Sequence, residues 1–104
     1  MKIITKTEEF TDSALLEVEV GTTGLRGGDA GCGGRTYLRL KDNGGTDMEV
    51  HVTPGGHEIA LIFGGDAELR NLIAGLQFAI GVLGESLKDG TQANVPTVGS
   101  RILS

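Results

Sequence analysis

Tryptophan is missing from this sequence, and other aromatic residues are scarce. Three phenylalanines and one tyrosine are the only aromatic side chains among 104 residues. Because large rings supply much of the buried area in many proteins, this chain must build its core mainly from leucine, isoleucine and valine. Apolar residues make up 38% of the chain, which suffices for one modest core. We therefore expect residues 1–104 to form a single domain.

Cysteine and long apolar runs are also nearly absent. The single cysteine, Cys32, rules out an internal disulfide, and no group of cysteines and histidines has the spacing of a zinc site. No segment approaches the ~20 consecutive apolar residues of a membrane span, and the N-terminus lacks the apolar run of a signal peptide. The sequence predicts a cytoplasmic protein that needs no metal or other cofactor.

Basic residues are outnumbered by acidic ones. The chain has nine lysines and arginines and fourteen aspartates and glutamates, which gives a net charge of −5 and a pI near 4.9. This balance argues against DNA or RNA polymers as partners, since they select a basic surface. It argues equally against attraction to an acidic membrane. A small pocket built from a few arginines remains compatible with it.

Period-two alternation predicts strands in the first two thirds of the chain. Leu16, Val18 and Val20 alternate with two glutamates, and similar patterns recur further on. Turn residues separate the later segments. Residues 57–63 are apolar on both faces, which favours a central or doubly covered strand. The predicted strands are 16–20, 36–41, 47–52 and 57–63, with turns at 42–45 and 54–56.

A long helix is predicted over residues 67–87, with Asp66 as its N-cap. Its leucines and isoleucines recur at steps of four and three, which predicts one face buried on the sheet. The expected fold is α+β: an antiparallel four-stranded meander packed against one long C-terminal helix, followed by a docking tail over residues 91–104. The residues of this stripe are Leu69, Ile73, Leu76, Ile80, Leu83 and Leu87.

The same helix carries a second line of residues beside that stripe. Asn71, Gly75, Phe78 and Val82 follow one another at steps of four, three and four. One interpretation makes them part of a wide core face. The other makes them a contact surface, where small residues let another backbone approach and Phe78 offers a flat ring. We favour the second interpretation and expect a homo-oligomer, a dimer or a multiple of dimers.

Glycine is abundant and concentrated: seven of the 18 glycines lie within residues 21–34. The phosphate-binding motif G-x-x-x-x-G-K-[ST] and the dinucleotide motif G-x-G-x-x-G are both absent, and a strand rather than a helix follows. The segment is either a tight structural connection or an anion pocket. In the second case, Arg26 and Arg35 supply charge, and Asp29 orients an arginine or accepts from a ribose hydroxyl.

No motif specifies a reaction. Nucleophilic catalysis needs a nucleophile, a base and an orienting group. Cys32 is the one candidate thiol, and His51 and His57 are the only imidazoles. One histidine falls on the polar face of a strand and the other beside a turn. The sequence therefore predicts a protein that is not an enzyme.

Two segments carry a resemblance to a known family. Residues 22–37 read T-T-G-x-x-G-G-D-x-G-x-G-G-R-T-Y, and residues 95–101 read V-P-T-V-G-S-R. Together with the chain length and the order of strands then helix, they resemble the first-described family of phage Thoeris anti-defence proteins. The family pattern carries a histidine where Cys32 stands.

The resemblance implies a sponge. Members of that family bind the cyclic ADP-ribose isomer made by bacterial TIR-domain enzymes, and they keep it from the defence effector without cleaving it. Their pockets lie between protomers that assemble as dimers and higher multiples, and some members hold cyclic oligonucleotides at a separate site. For this chain, the resemblance implies a cyclic ADP-ribose isomer or a related cyclic nucleotide as ligand, bound in the host cytoplasm during infection.

The resemblance also implies residue roles. Phe78 would stack on adenine, and Arg101 would clamp the phosphates with help from Arg26. Asn71 would hydrogen-bond base or ribose, and Arg35 would serve the same pocket or the separate site. The departure at Cys32 weakens the case for the separate site most. The expected ligand-binding residues are Arg26, Arg35, Asn71, Phe78, Thr97 and Arg101.

Two other functions remain open at this point. One is an enzyme that processes cyclic nucleotides. The other is a structural or protein-inhibiting phage protein that binds no nucleotide.

Overall fold

The protein is described from a computed structural model, which covers residues 2–89 and 101–103. Strands precede one long helix, and a short strand follows it. The elements are β1 Ile3–Thr11, β2 Leu15–Thr22, β3 Thr36–Gly44, β4 Asp47–Val52, β5 Ile59–Gly64, α1 Asp66–Asp89 and β6 Arg101–Leu103. The predicted α+β class and the predicted helix are confirmed.

The main sheet is antiparallel, with the strand order β3-β2-β1 and the short β6 added at the β1 edge. β2 lies at its centre, where Val18 is opposite Glu8 of β1 and Leu40 of β3. The helix covers one face of β1 and β2. Beneath it, Leu16, Val18 and Val20 are completely buried, because alternate residues of a strand point to the same face.

The predicted four-stranded meander is not correct in detail. β1 was not expected, although its isoleucines and threonines favour strand structure. The segments predicted at 47–52 and 57–63 form a separate two-stranded sheet, β4-β5, that is not hydrogen-bonded to β3. The Asp42 carboxylate accepts from the N–H groups of Gly44 and Thr46. Gly45 has a φ of 72°, so the chain bends away from the main sheet here.

The β4-β5 hairpin leaves apolar side chains in contact with solvent. Its turn falls where the sequence predicted it, since Gly56 donates to the Thr53 carbonyl at 2.9 Å. The expectation that residues 57–63 form a doubly covered strand is wrong for the single chain. Ile59 and Leu61 are exposed on one face of β5 and Ile62 on the other.

The helix packs on β2 through the line of residues that contains Gly75. A Cβ atom added to Gly75 would lie 2.8 Å from Cγ2 of Val18, so helix and strand meet with no room for a side chain. The rings of Phe78 and Phe10 pack edge to face, with centroids 6.0 Å apart. Asn71 and Ala79 are also buried in this interface. Asn71, Gly75 and Phe78 of this line therefore face the sheet, as the core interpretation expected, and Phe78 and Val82 are half-buried.

The stripe that the sequence predicted to be buried is mostly exposed to solvent. Five of its six residues are exposed, so the prediction that this stripe packs on the sheet is wrong. The line that contains Gly75 allows the closer approach to β2. The exposed fractions are 55% for Leu69, 48% for Ile73, 43% for Leu76, 70% for Ile80 and 59% for Leu87. We call these five residues the helix stripe.

The end of the chain adds a strand to the sheet edge, where Arg101 lies opposite Thr5 in the register. The rest of the predicted docking tail lies outside the described residues. Among the described residues, no helix is both long enough and apolar enough to cross a membrane.

Two glycines of the helix, Gly75 and Gly81, have contrasting surroundings and lead to a prediction about stability. Gly81 has open space around its Cα, so Gly81→Ala should raise the free energy of unfolding by about 0.5–1 kcal/mol through helix propensity. Gly75→Ala should lose that gain to overpacking against Val18, which typically costs about 1–3 kcal/mol. Urea denaturation at one protein concentration measures both. Equal stabilisation by the two substitutions would contradict the close contact at Gly75.

Candidate functional site

The glycine-rich segment and the C-terminal end of α1 enclose an open cavity of about 490 Å³. Pockets for small ligands commonly measure about 300–1,000 Å³, so the cavity has room for a nucleotide-sized molecule. Its walls combine glycine backbone, hydroxyls, two charged side chains and leucines. The lining residues are Thr22, Gly24, Leu25, Arg26, Gly27, Gly28, Asp29, Gly34, Thr36, Leu83, Ser86 and Leu87.

Hydroxyl groups fasten the two ends of the glycine-rich segment to each other. The N–H of Thr23 donates to the Arg35 carbonyl at 3.0 Å, and the N–H of Arg35 donates to the Thr23 hydroxyl at 2.9 Å. Thr22 and Thr36 share a hydrogen bond between their hydroxyls at 2.9 Å. The segment therefore leaves the β2-β3 ladder from a fixed base.

Above that base, the segment consists of two arms whose backbones touch. The inner arm, residues 24–29, lines the cavity, and the outer arm, residues 31–34, returns along it and adds Gly34 to the lining. A Cβ atom at Gly33 would lie 2.7 Å from the Gly28 carbonyl oxygen, and one at Gly34 would collide with the Gly24 carbonyl. This close approach accounts for the concentration of glycine at these positions.

The cavity offers complementary groups to an anion that also carries an apolar part. Arg26 supplies a positive charge, and none of the hydrogen bonds that the structure describes uses the N–H groups of Gly27 or Gly28. Leu83 and Leu87 form an apolar wall opposite the loop. A phosphate could bind at the loop, because exposed backbone N–H groups and an arginine both favour anions.

The six sequence-predicted residues fall in different places. Arg26 lines the cavity. Arg35 lies in the same segment, but its guanidinium donates to the carbonyls of Gly31, Gly33 and Gly34. Thr97 lies outside the described residues. Arg101 is placed in β6 by its backbone.

Asn71 and Phe78, by contrast, lie between the helix and the sheet and do not line the cavity. The Asn71 amide oxygen accepts from the N–H of Asp12 at 3.1 Å, and its nitrogen donates to the Ala14 carbonyl at 3.1 Å. Asn71 therefore joins the helix to the β1-β2 turn, and Phe78 packs on Phe10. Only Arg26, of the four whose side chains are described, is in the cavity.

Sequence reasoning missed the groups that complete the cavity from elsewhere. These groups come from the helix: Ser86 is buried beside the loop, and Leu83 and Leu87 bring the apolar wall. Serine and threonine are too common to stand out as a motif. Ser86 lies beside Gly24 of the loop only because the helix packs across β2, which no local pattern reveals.

The candidate catalytic residues are not assembled. Cys32 is exposed on the outer arm and does not line the cavity. His51 lies on the exposed hairpin, 3.2 Å from a carboxylate oxygen of Glu49. His57 is exposed beside the hairpin turn. Within the described residues, no cluster of histidine, cysteine and carboxylate side chains could hold a metal ion.

The densest cluster of charged groups lies on the sheet face opposite the helix. Arg39 donates to Glu17 and to the fully buried Glu19, the latter at 2.8 Å, and Thr5 donates to Glu19 at 2.6 Å. Hydrogen bonds from Asn43 and then Arg39 lower the pKa of Glu17, while the two carboxylates raise the pKa of Arg39. These mutual bonds link β1, β2 and β3 on this face of the sheet.

A second hollow of about 280 Å³ lies between β3 and the hairpin. All of its lining side chains are apolar, so it cannot orient a charged ligand. They are Leu38, Leu40, Met48, Val50, Ile59 and Leu61.

Comparison with known proteins finds no matching family model, no matching curated protein and no matching solved structure. A function must therefore be inferred from the residues of the cavity and from the two motif segments, 22–37 and 95–101.

The position of Asn71 leads to a prediction about stability. Asn71→Ala should lower the free energy of unfolding by about 1–3 kcal/mol, because it leaves the half-buried Asp12 N–H and the buried Ala14 carbonyl without a partner. Gln77→Ala, on the exposed polar side of the same helix, is the matched control and should change stability by less than about 0.5 kcal/mol. Thermal or urea denaturation measures the stability of both variants. Equal losses of stability in Asn71→Ala and Gln77→Ala would contradict a structural role for Asn71.

Proposed function

We propose that this chain is a non-catalytic phage anti-defence sponge that binds a TIR-derived cyclic ADP-ribose isomer in the host cytoplasm. By holding the signal without cleaving it, the protein would prevent activation of the host immune effector. The observation that carries the proposal is the cavity of about 490 Å³. Its loop wall is the same segment, residues 22–37, that carries the resemblance to the Thoeris anti-defence family.

The chemistry of the cavity suits such a ligand. A cyclic ADP-ribose isomer combines a doubly charged diphosphate, two ribose rings and a flat adenine. We assign the diphosphate to Arg26 and the neighbouring glycine N–H groups. We assign a ribose hydroxyl to Asp29 and the adenine to the apolar wall of Leu83 and Leu87. A related cyclic oligonucleotide, which joins its riboses through single phosphodiesters, is a second ligand class with anionic phosphates, riboses and flat bases.

The tail motif would complete the site. The resemblance gives Arg101 as a phosphate clamp and Thr97 as a further contact, and we retain both roles as part of the proposal. Asn71 and Phe78 are engaged inside the protomer. We therefore assign them to holding the helix in place rather than to direct ligand contact.

Absence of a reaction is part of the proposal. Among the described residues, the cavity lining contains no imidazole and no thiol, and we assign its one carboxylate, Asp29, to a ribose hydroxyl. Acid–base or nucleophilic cleavage of a pyrophosphate or glycosidic bond needs a positioned base or nucleophile. An enzyme that processes cyclic nucleotides is the alternative, and it predicts a chemically altered ligand.

We propose further that two copies of this chain associate through the helix stripe. Burying a large aliphatic side chain completely stabilises by about 1.5–3 kcal/mol, and five such residues are about half exposed here. A second copy offers the same stripe in a two-fold arrangement. Leu87 belongs both to the stripe and to the cavity wall, so a partner along the stripe would also pass the mouth of the cavity.

Ligand binding is tested by calorimetric titration with a glycocyclic ADP-ribose isomer. Arg26→Gln and Arg101→Ala should each weaken binding more than tenfold, about 1.4 kcal/mol or more, because each removes a phosphate partner. Lys41→Gln removes the same charge from β3 and is the control. Chromatography of the ligand released by denaturation should recover it intact.

Each other outcome points to a different function. A cleaved ligand would identify an enzyme. If no cyclic nucleotide binds or raises the melting temperature, the structural or protein-inhibiting alternative holds. Unchanged affinity in Arg26→Gln would remove the loop cavity from the binding site.

Association is tested by native mass spectrometry and light scattering. Ile80→Asp should weaken self-association at least about 100-fold, which corresponds to about 2.7 kcal/mol, because it places a charge in an apolar contact. Gln77→Asp adds the same charge off the stripe and should leave assembly unchanged. A wild-type protein that stays monomeric at all concentrations would rule out the dimer, and an assembly that survives Ile80→Asp would place its interface elsewhere.

A further inference from the structure

The guanidinium of Arg35 folds back onto its own loop. It donates to the Gly31 carbonyl at 2.7 Å and more weakly to the carbonyls of Gly34 at 3.3 Å and Gly33 at 3.5 Å. One planar side chain thus contacts three of the four residues of the outer arm. An arginine can do this because its donors fan out in a rigid plane.

The outer arm in turn supports the inner arm. Gly33 lies against the backbone of Gly28, and Gly34 lies against the carbonyl of Gly24. Gly24 and Gly28 both line the cavity, and so does Arg26 between them. A shift of the outer arm would therefore move the wall that carries Arg26 and the N–H groups of Gly27 and Gly28.

Arg35 itself does not line the cavity. Besides its bonds to the loop, no ion pair with a carboxylate engages it in the described part of the chain. Its charge is directed to carbonyl oxygens of the outer arm. This geometry differs from that of Arg26, which faces the cavity without a bond to the loop.

We propose that Arg35 is a positioning residue that fixes the outer arm and thereby preorganises the anion-binding inner arm. The role in ligand affinity rests on the proposed function, whereas the role in loop order does not. Without the guanidinium, the glycine-rich arms sample many conformations, because glycine restricts the backbone least. Ligand binding must then order them, which weakens affinity.

Loop order is measured first, on the free protein. The Cys32 N–H donates to the Asp29 carbonyl at 3.1 Å across the tip between the arms, so its amide hydrogen exchange by NMR reports whether the arms are held. Arg35→Lys and Arg35→Gln should both speed this exchange by about tenfold or more, since local opening controls exchange. Lys41→Gln should leave it unchanged. Global unfolding is monitored by the exchange of core amides in β2.

Affinity for the glycocyclic ADP-ribose isomer is measured next. Arg35→Lys retains the charge but cannot reach three carbonyls at once, so it should weaken binding about as much as Arg35→Gln, by roughly tenfold. The loss should appear mainly as slower association. If Arg35→Lys binds like wild type with normal Cys32 exchange, Arg35 acts through its charge and the proposal is wrong.

The two measurements separate this inference from the proposed function. If the wild type binds no cyclic nucleotide but the Arg35 variants still speed Cys32 exchange, the sponge function fails and the positioning role in the loop stands. If exchange is unaltered in both variants, the positioning role fails whatever the ligand. If binding weakens while exchange is unaltered, Arg35 contacts the ligand directly.

Discussion

The contact between α1 and β2 at Gly75 and Val18 determines how the rest of the molecule is arranged. Because a Cβ at Gly75 would lie 2.8 Å from the Val18 side chain, only a glycine line allows the helix this close. Asn71 fixes the same rotation by bonding the β1-β2 turn. With that face turned inward, the helix stripe must face outward, and Ser86 and Leu83 must face the glycine-rich loop. Rotation of one helix thus sets both the exposed surface and the cavity.

The sequence predicted the helix and most strands, but it could not predict which side of the helix meets the sheet. Periodicity identifies residues that avoid water; it does not say whether a sheet or another molecule covers them. Leu69, Ile73 and Ile80 form the stronger stripe and were assigned to the core, yet the weaker line with Gly75 and Phe78 occupies it. The same ambiguity affected residues 57–63, whose two apolar faces predicted a doubly covered strand and are exposed in the single chain.

The sequence indicated the loop segment that forms one wall of the cavity, but not the residues that the rest of the fold brings to it. Glycine density and two arginines indicated residues 21–36, and Arg26 indeed lines the cavity there. The different position of Arg35 depends on which carbonyls lie within reach of its side chain, a matter of loop geometry that composition does not encode. Ser86 and Leu87 were beyond reach because they come from the far end of a helix, some fifty residues along the chain.

A protein that only sequesters a ligand places different demands on its residues than an enzyme does. Catalysis needs groups whose protonation changes during the reaction, whereas tight holding needs enclosure and a wall already in its bound shape. Under the proposed function, a loop whose arms touch through glycine, with one arginine holding its carbonyls and another lining the cavity, would meet the second demand. Leu87 belongs both to the helix stripe and to the cavity wall. If two copies of the chain paired through the stripe, the partner would therefore also narrow the open side of the cavity. In such a molecule, association and ligand retention would strengthen each other.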